Sequence, residues 1–218
     1  QKVFANPSNR SIIAESFRML ASNLKYILPN KEKCSVIIST STIKSEGKTF
    51  NAINLSLSLA SFDKKVLLIG ADLRNPQLHK YLKKEKDLFG VSNYLTDNTQ
   101  DWRKGLITNF KHFPTHDILL SGPLPPNPLQ LLNNGNLEIL LEEARKEYDY
   151  IVMDTAPTLL VSDTSTIAHY ADAIVYVLRA NLTEKELLNY TKELIDSGKI
   201  KNVGFVLNAI GAKNKYGY

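Results

Sequence analysis

The stretch Val36-Ile37-Ile38-Ser39-Thr40-Ser41-Thr42-Ile43-Lys44-Ser45-Glu46-Gly47-Lys48-Thr49-Phe50 runs from a β-branched apolar triplet through a hydroxyl-rich turn into a helical pattern at Phe50, Ile53, Leu57 and Ala60. A strand feeding a helix is the context in which Gly-Lys-Thr acts as a phosphate loop. Glycine at 47 lets the backbone approach phosphate oxygens, while successive N–H groups and the helix N-terminus cradle them. Ser45, Glu46, Gly47, Lys48, Thr49 and Phe50 are therefore the candidate nucleotide site, with Lys48 reaching the β and γ oxygens of ATP and the Thr49 hydroxyl ligating Mg²⁺. The leading glycine of the usual motif is replaced by Thr42.

Working outward, short buried-strand patterns recur at Val66 to Ile69, Ile118 to Leu120, Ile151 to Met153, Ala173 to Leu178 and Val203 to Leu207. Helical patterns lie between most of them, at Leu137 to Lys146 and Glu184 to Ser197, and a further one precedes the first strand at Ile12, Ile13, Phe17, Leu20, Leu24 and Ile27. This alternation predicts an α/β P-loop fold, a mostly parallel sheet of about seven strands with helices on both faces. The proline-rich run Ser121 to Pro128 reads as a rigid loop.

Ligands of such sheets sit beyond the C-terminal edge of the strands. Two other strand patterns end there in aspartates. Ile151-Val152-Met153-Asp154 has the form of a strand whose carboxylate holds Mg²⁺. Val66 to Ile69 leads into Gly70-Ala71-Asp72-Leu73-Arg74, where Asp72 can coordinate Mg²⁺ or take a proton from an incoming hydroxyl. A local ion pair between Asp72 and Arg74 fits the same residues. Lys48, Asp72 and Asp154 are the candidate catalytic set.

Composition narrows the alternatives. The 218 residues suffice for one large domain, read as an N-terminal helical arm at 1–33, a nucleotide-binding core at 34–211 and a tail at 212–218. One cysteine and four scattered histidines offer neither a disulfide nor a zinc site, in keeping with a reducing cytosol. The net charge of +5 comes from lysines interspersed with acids, as in Lys80 to Asp87, which read as a solvated face and not as a nucleic-acid stripe. No apolar run approaches a membrane span, and the start at Gln1 hints at a piece of something longer whose anchor lies elsewhere.

Taken together the motifs resemble the bacterial tyrosine kinases that control capsule and exopolysaccharide assembly. The likeness covers nearly the whole chain: Ser45 to Thr49, Ala71 to Arg74, Asp154-Thr155-Ala156-Pro157, Gly122 to Pro128, Val161-Ser162-Asp163, and the ending Tyr216-Gly217-Tyr218. It implies ATP on the phosphate loop, Mg²⁺ served by Thr49, Asp72 and Asp154, and Asn208 near adenine. It also implies phosphorylation of Tyr216 and Tyr218 by a neighbouring copy in a ring. The partners it implies are other protein tyrosines, a membrane-embedded polysaccharide copolymerase segment in cis or in trans, and a phosphotyrosine phosphatase. The chain would then be a cytoplasmic domain at the bacterial inner membrane.

Two residues depart from that family's pattern. Gly70 stands where a first aspartate is usual, removing a carboxylate credited with activating the acceptor. Glu15-x-x-Arg18 is followed by Ala21 where a second arginine would complete an oligomerising motif. Ile43 also differs from the signature lysine of the partitioning and division-site ATPases. The rival readings are a phosphate-loop ATPase switch without kinase activity and a nucleotide-binding regulator without phosphotransfer.

Overall fold

The computed structural model describes residues 11–29, 34–159 and 163–210. Seven strands form one sheet: β1 Ser35–Ser41, β2 Val66–Gly70, β3 Leu106–Ile107, β4 His116–Leu119, β5 Tyr150–Asp154, β6 Ala173–Arg179 and β7 Val203–Asn208. Their order is β3-β4-β2-β5-β1-β6-β7, parallel throughout except for the antiparallel β3–β4 pair. Every residue of β1 and β2 is buried, the consequence of apolar layers on both faces of the sheet's centre.

Among the described residues eight α-helices cover it: α1 Ile12–Asn23, α2 Lys48–Ala60, α3 Leu78–Leu82, α4 Val91–Thr96, α5 Pro128–Leu132, α6 Asn136–Ala144, α7 Asp163–Ile167 and α8 Leu187–Asp196. Ser11 caps α1 by accepting from the Ala14 N–H, and the helix buries Ala14, Phe17 and Ala21. Phe17 meets Phe50 of α2 edge to face, with ring centroids 5.6 Å apart. None of the described helices is long and apolar enough to cross a membrane.

Three sequence expectations shift. Strand β3 has no separate signal, because two residues cannot show a period. The fourth strand begins two residues earlier than its apolar run, since His116 is fully buried and pairs with Val66. The proline-rich segment is not loop to its end: Pro128 occupies the first turn of α5, where its missing N–H costs nothing, behind an Asn127 cap.

His116 carries a stability prediction. Its Nε2 lies 2.9 Å from the Ser56 hydroxyl, its Nδ1 has no partner, and burial pushes its pKa down to about 3. Unfolded, the ring titrates near its reference of about 6.5. Between those values the unfolded chain binds a proton that the fold refuses, so stability falls as pH drops below about 6.5, by up to about 1.4 kcal/mol per pH unit. Urea midpoints at pH 7.5 and 5.0 should fall less in His116→Gln than in wild type. Equal falls would show that His116 does not supply the slope.

Candidate active site

Strand register brings the site together before any side chain is considered. Ser39 of β1 and Gly70 of β2 both pair with Asp154, so the C-terminal ends of β1, β2 and β5 lie side by side. The phosphate loop leaves β1, residues 71–77 leave β2, and Asp154 ends β5 at one edge. A cavity of about 770 Å³ opens there between the loop and α3, and Lys48, Thr49, Phe50 and Asp72 are among its lining.

The loop is held from several sides. Gly47 has φ +103°, and a Cβ there would meet Asn208 Nδ2 at 2.1 Å, so glycine is required twice over. The Asn208 amide donates to the Glu46 carbonyl at 2.8 Å, and Arg179 donates to the Ser45 carbonyl at 2.8 Å. The buried Glu46 carboxylate accepts from the Ile43 N–H at 2.7 Å and bonds the Thr183 hydroxyl. At position 42 the threonine is used: its hydroxyl donates to Tyr176 Oη at 3.1 Å, and Tyr176 in turn bonds Thr158 at 2.6 Å.

At the cavity floor Lys48 Nζ donates to Asp72 Oδ2 at 2.9 Å and lies 3.8 Å from Asp154 Oδ1. The Thr49 hydroxyl donates to Asp154 Oδ2 at 2.8 Å. Burial alone would lower the Lys48 pKa, but Asp154 and Asp72 together raise it, and the ammonium persists. Burial pushes Asp154 up to about 6, against the pull of Lys48. Asp72 Oδ1 accepts from the backbone N–H groups of Arg74 at 3.3 Å and Asn75 at 2.9 Å.

Arg74 does not form the local pair with Asp72 that the sequence permits. Its guanidinium grips Asp163 in a bidentate pair at 2.6 and 2.9 Å, tying the loop after β2 to α7. Tyr81 of α3, half-buried and lining the cavity, was not anticipated: it lies in the charge-dense run read as solvated. Its phenol pKa is raised, chiefly by burial and then by Asp154. Tyr216 and Tyr218 lie outside the described residues, as do Val161 and Ser162.

A divalent cation fits this donor set. Asp154 Oδ1 is a buried oxygen without a hydrogen-bond partner, beside the threonine hydroxyl. Among the described residues no group of three or more His, Cys, Asp or Glu could hold a metal by itself. Mg²⁺ sites use one or two carboxylates plus phosphate and water oxygens, a need that the Asp154 carboxylate beside the Thr49 hydroxyl meets.

Gly70 is more than a missing carboxylate. A Cβ there would stand 2.6 Å from Ser121 Oγ, 2.9 Å from the Ser121 backbone nitrogen and 3.1 Å from Leu78. Space for an aspartate has been closed by the loop after β4. Gly70→Asp should therefore lower stability by about 1–3 kcal/mol without raising activity. A urea midpoint unchanged from wild type, together with faster turnover, would overturn this.

Comparison with known proteins agrees with the geometry. The profile of a family described as AAA domain (AAA_31) matches residues 35–202. Tyrosine-protein kinase YwqD of Bacillus subtilis (strain 168) is 34% identical over 220 residues, covering 100% of this chain and 91% of that one. A putative tyrosine-protein kinase in the cps region of Klebsiella pneumoniae is 35% identical over 215 residues, covering 97% of this chain but 29% of that one. The kinase domain of Escherichia coli tyrosine kinase ETK superposes with a TM-score of 0.88 at 26% identity, covering 100% of this chain and 84% of that one. With a phosphate loop, two acidic strand ends and relatives of this kind over its full length, the chain belongs to the bacterial tyrosine-protein kinases of capsule and exopolysaccharide synthesis.

Proposed function

We propose that this domain moves the γ-phosphate of MgATP onto tyrosine hydroxyls, among them Tyr216 and Tyr218 of a neighbouring copy. The observation that carries the reading is the meeting of Lys48, Thr49, Asp72 and Asp154 within one cluster of hydrogen bonds and ion pairs at the sheet edge. Thr49 and Asp154 would hold Mg²⁺, and Asp72 would assist them. When bound, the cation supplies positive charge to the phosphate oxygens. Lys48 neutralises the charge that develops on the transferred group, and the N–H groups from Ser45 to Phe50 orient the phosphates. Asn208, whose amide donates to the Glu46 carbonyl, would contact the adenine.

Asp72 takes the acceptor proton. A tyrosine hydroxyl has a reference pKa of about 10, so transfer at neutral pH needs a base, and Gly70 cannot provide one. Asp72 Oδ2 accepts from the Lys48 ammonium at 2.9 Å, which places the carboxylate at the cavity floor. The domain works as a ring of copies at the cytoplasmic face of the inner membrane, beside a polysaccharide copolymerase segment in cis or in trans. The Klebsiella relative, more than three times as long as the part this chain covers, supports that placement. A phosphotyrosine phosphatase reverses the mark.

Mixing wild type with a catalytically dead Asp154→Asn chain of different mass tests transfer between copies. Phosphate is expected on tyrosines of the dead chain. Label confined to the wild-type chain would refute transfer in trans.

A further inference from the structure

The wall of the cavity opposite the phosphate loop carries basic and aromatic side chains. The loop after β2, helix α3 and the residue that caps its C-terminus contribute Arg74, Lys80, Tyr81 and Lys83, while Lys44 and Arg179 stand on the loop side. Arg74 is committed to Asp163, and Arg179 to the Ser45 carbonyl. Among the described residues Lys80 donates only to the neutral amide of Gln77, at 2.9 Å, and Lys44 and Lys83 make no ion pair. The carboxylates at the floor, Asp72 and Asp154, are buried and face Lys48. The mouth therefore carries uncompensated positive charge around a half-buried aromatic ring.

We propose that this basic wall selects the acceptor, favouring tyrosines flanked by acidic residues, with Lys80 and Lys83 as the specificity-determining positions and Tyr81 packing against the incoming ring. The inference rests on the kinase reading above and deepens it. A peptide approaching the γ-phosphate from across the phosphate loop passes α3, where flanking carboxylates meet two lysines at short range. The same field disfavours basic acceptors, and the chain's own tail is one: Lys213 and Lys215 precede Tyr216. The tail is thus a poor acceptor by contact and a good one only through the high local concentration that assembly gives it.

The test compares two soluble peptides, Glu-Glu-Tyr-Glu-Glu and Lys-Lys-Tyr-Lys-Lys in a common neutral frame, as substrates of wild type and of the Lys80→Glu, Lys83→Glu double variant. In wild type the acidic peptide should have a kcat/KM higher by about tenfold or more, the size that two exposed charge pairs supply together. The advantage should lie mainly in KM and shrink with added salt. In the double variant, assayed at saturating MgATP, the ratio should collapse or invert. A ratio near one in wild type, a ratio unmoved by the charge reversal, or a chain that labels itself but neither peptide would overturn the inference and leave the kinase reading standing. Absence of phosphotyrosine on both peptides and on the chain itself would overturn both.

Discussion

Asp154→Asn is expected to cut phosphotransfer by at least about a hundredfold, the usual effect of losing one preorganised group around a developing charge, while leaving the fold as stable as wild type or more so. The two halves of that expectation come from the same oxygens. Asp154 Oδ1 is buried without a hydrogen-bond partner, and burial pushes the carboxyl up to about 6, above its unfolded value. A raised carboxyl means that the ionised form is held at a cost: above about pH 6 the fold carries a buried charge that the unfolded chain would solvate freely. The asparagine removes that charge and keeps an acceptor for the Thr49 hydroxyl. Its urea midpoint at pH 8 should equal or exceed that of wild type. Calorimetry should find nucleotide affinity no longer increased by Mg²⁺. A variant with full phosphotransfer would show that the carboxylate holds nothing essential.

Lys48→Met is expected to be as inactive and, by contrast, clearly less stable. Its ammonium sits between two carboxylates that are 3% and 1% exposed and leaves only 11% of its own side chain in solvent. Removing Asp154 leaves the Lys48–Asp72 pair balanced, whereas removing the ammonium leaves two buried carboxylates uncompensated, with losses of about 3–5 kcal/mol in comparable cases. The surviving carboxylates repel each other, so one takes up a proton, and the deficit should shrink at lower pH. Thermal melts of Lys48→Met at pH 5.5 and 8 should show a smaller gap to wild type at the acidic value. A gap that does not depend on pH would mean that the cluster is not coupled as its distances imply.

This opposition between two variants of one cluster was not legible in the sequence, although the cluster's members were. Glycine, lysine and threonine after a β-branched run, and aspartates after two others, are local patterns that survive translation into structure. Strands buried on both faces announce themselves by uninterrupted Val, Ile and Leu, which is why β1, β2, β5 and β6 stand out. What the chain does not advertise is which distant residue meets which. Arg74 has an aspartate two residues away and pairs instead with Asp163, 89 residues along. The reason is geometric: Asp72 is already turned toward Lys48 and the backbone N–H groups of Arg74 and Asn75.

Glu46 shows a second limit. As part of the phosphate loop it is a nucleotide-site candidate, yet its fully buried carboxylate spends itself on Ile43 and Thr183, holding the loop to the segment after β6. An acid in a loop read from sequence looks like a surface residue, and only its burial reveals a brace. The run Lys80 to Asp87 misled in the opposite direction. Its charge density suggests a solvated face, but α3 turns Tyr81 and two of those lysines onto the cavity. Gly70, met first as an absent carboxylate, turns out to be a packing requirement imposed by Ser121 from the next loop.

Incubating the purified wild-type chain with MgATP and mapping phosphate by mass spectrometry tests the central claim most directly. Phosphotyrosine at Tyr216 or Tyr218, formed in step with ADP and absent from Asp154→Asn, is the expected result. Release of inorganic phosphate in step with ADP, with no phosphotyrosine anywhere on the chain, would contradict it.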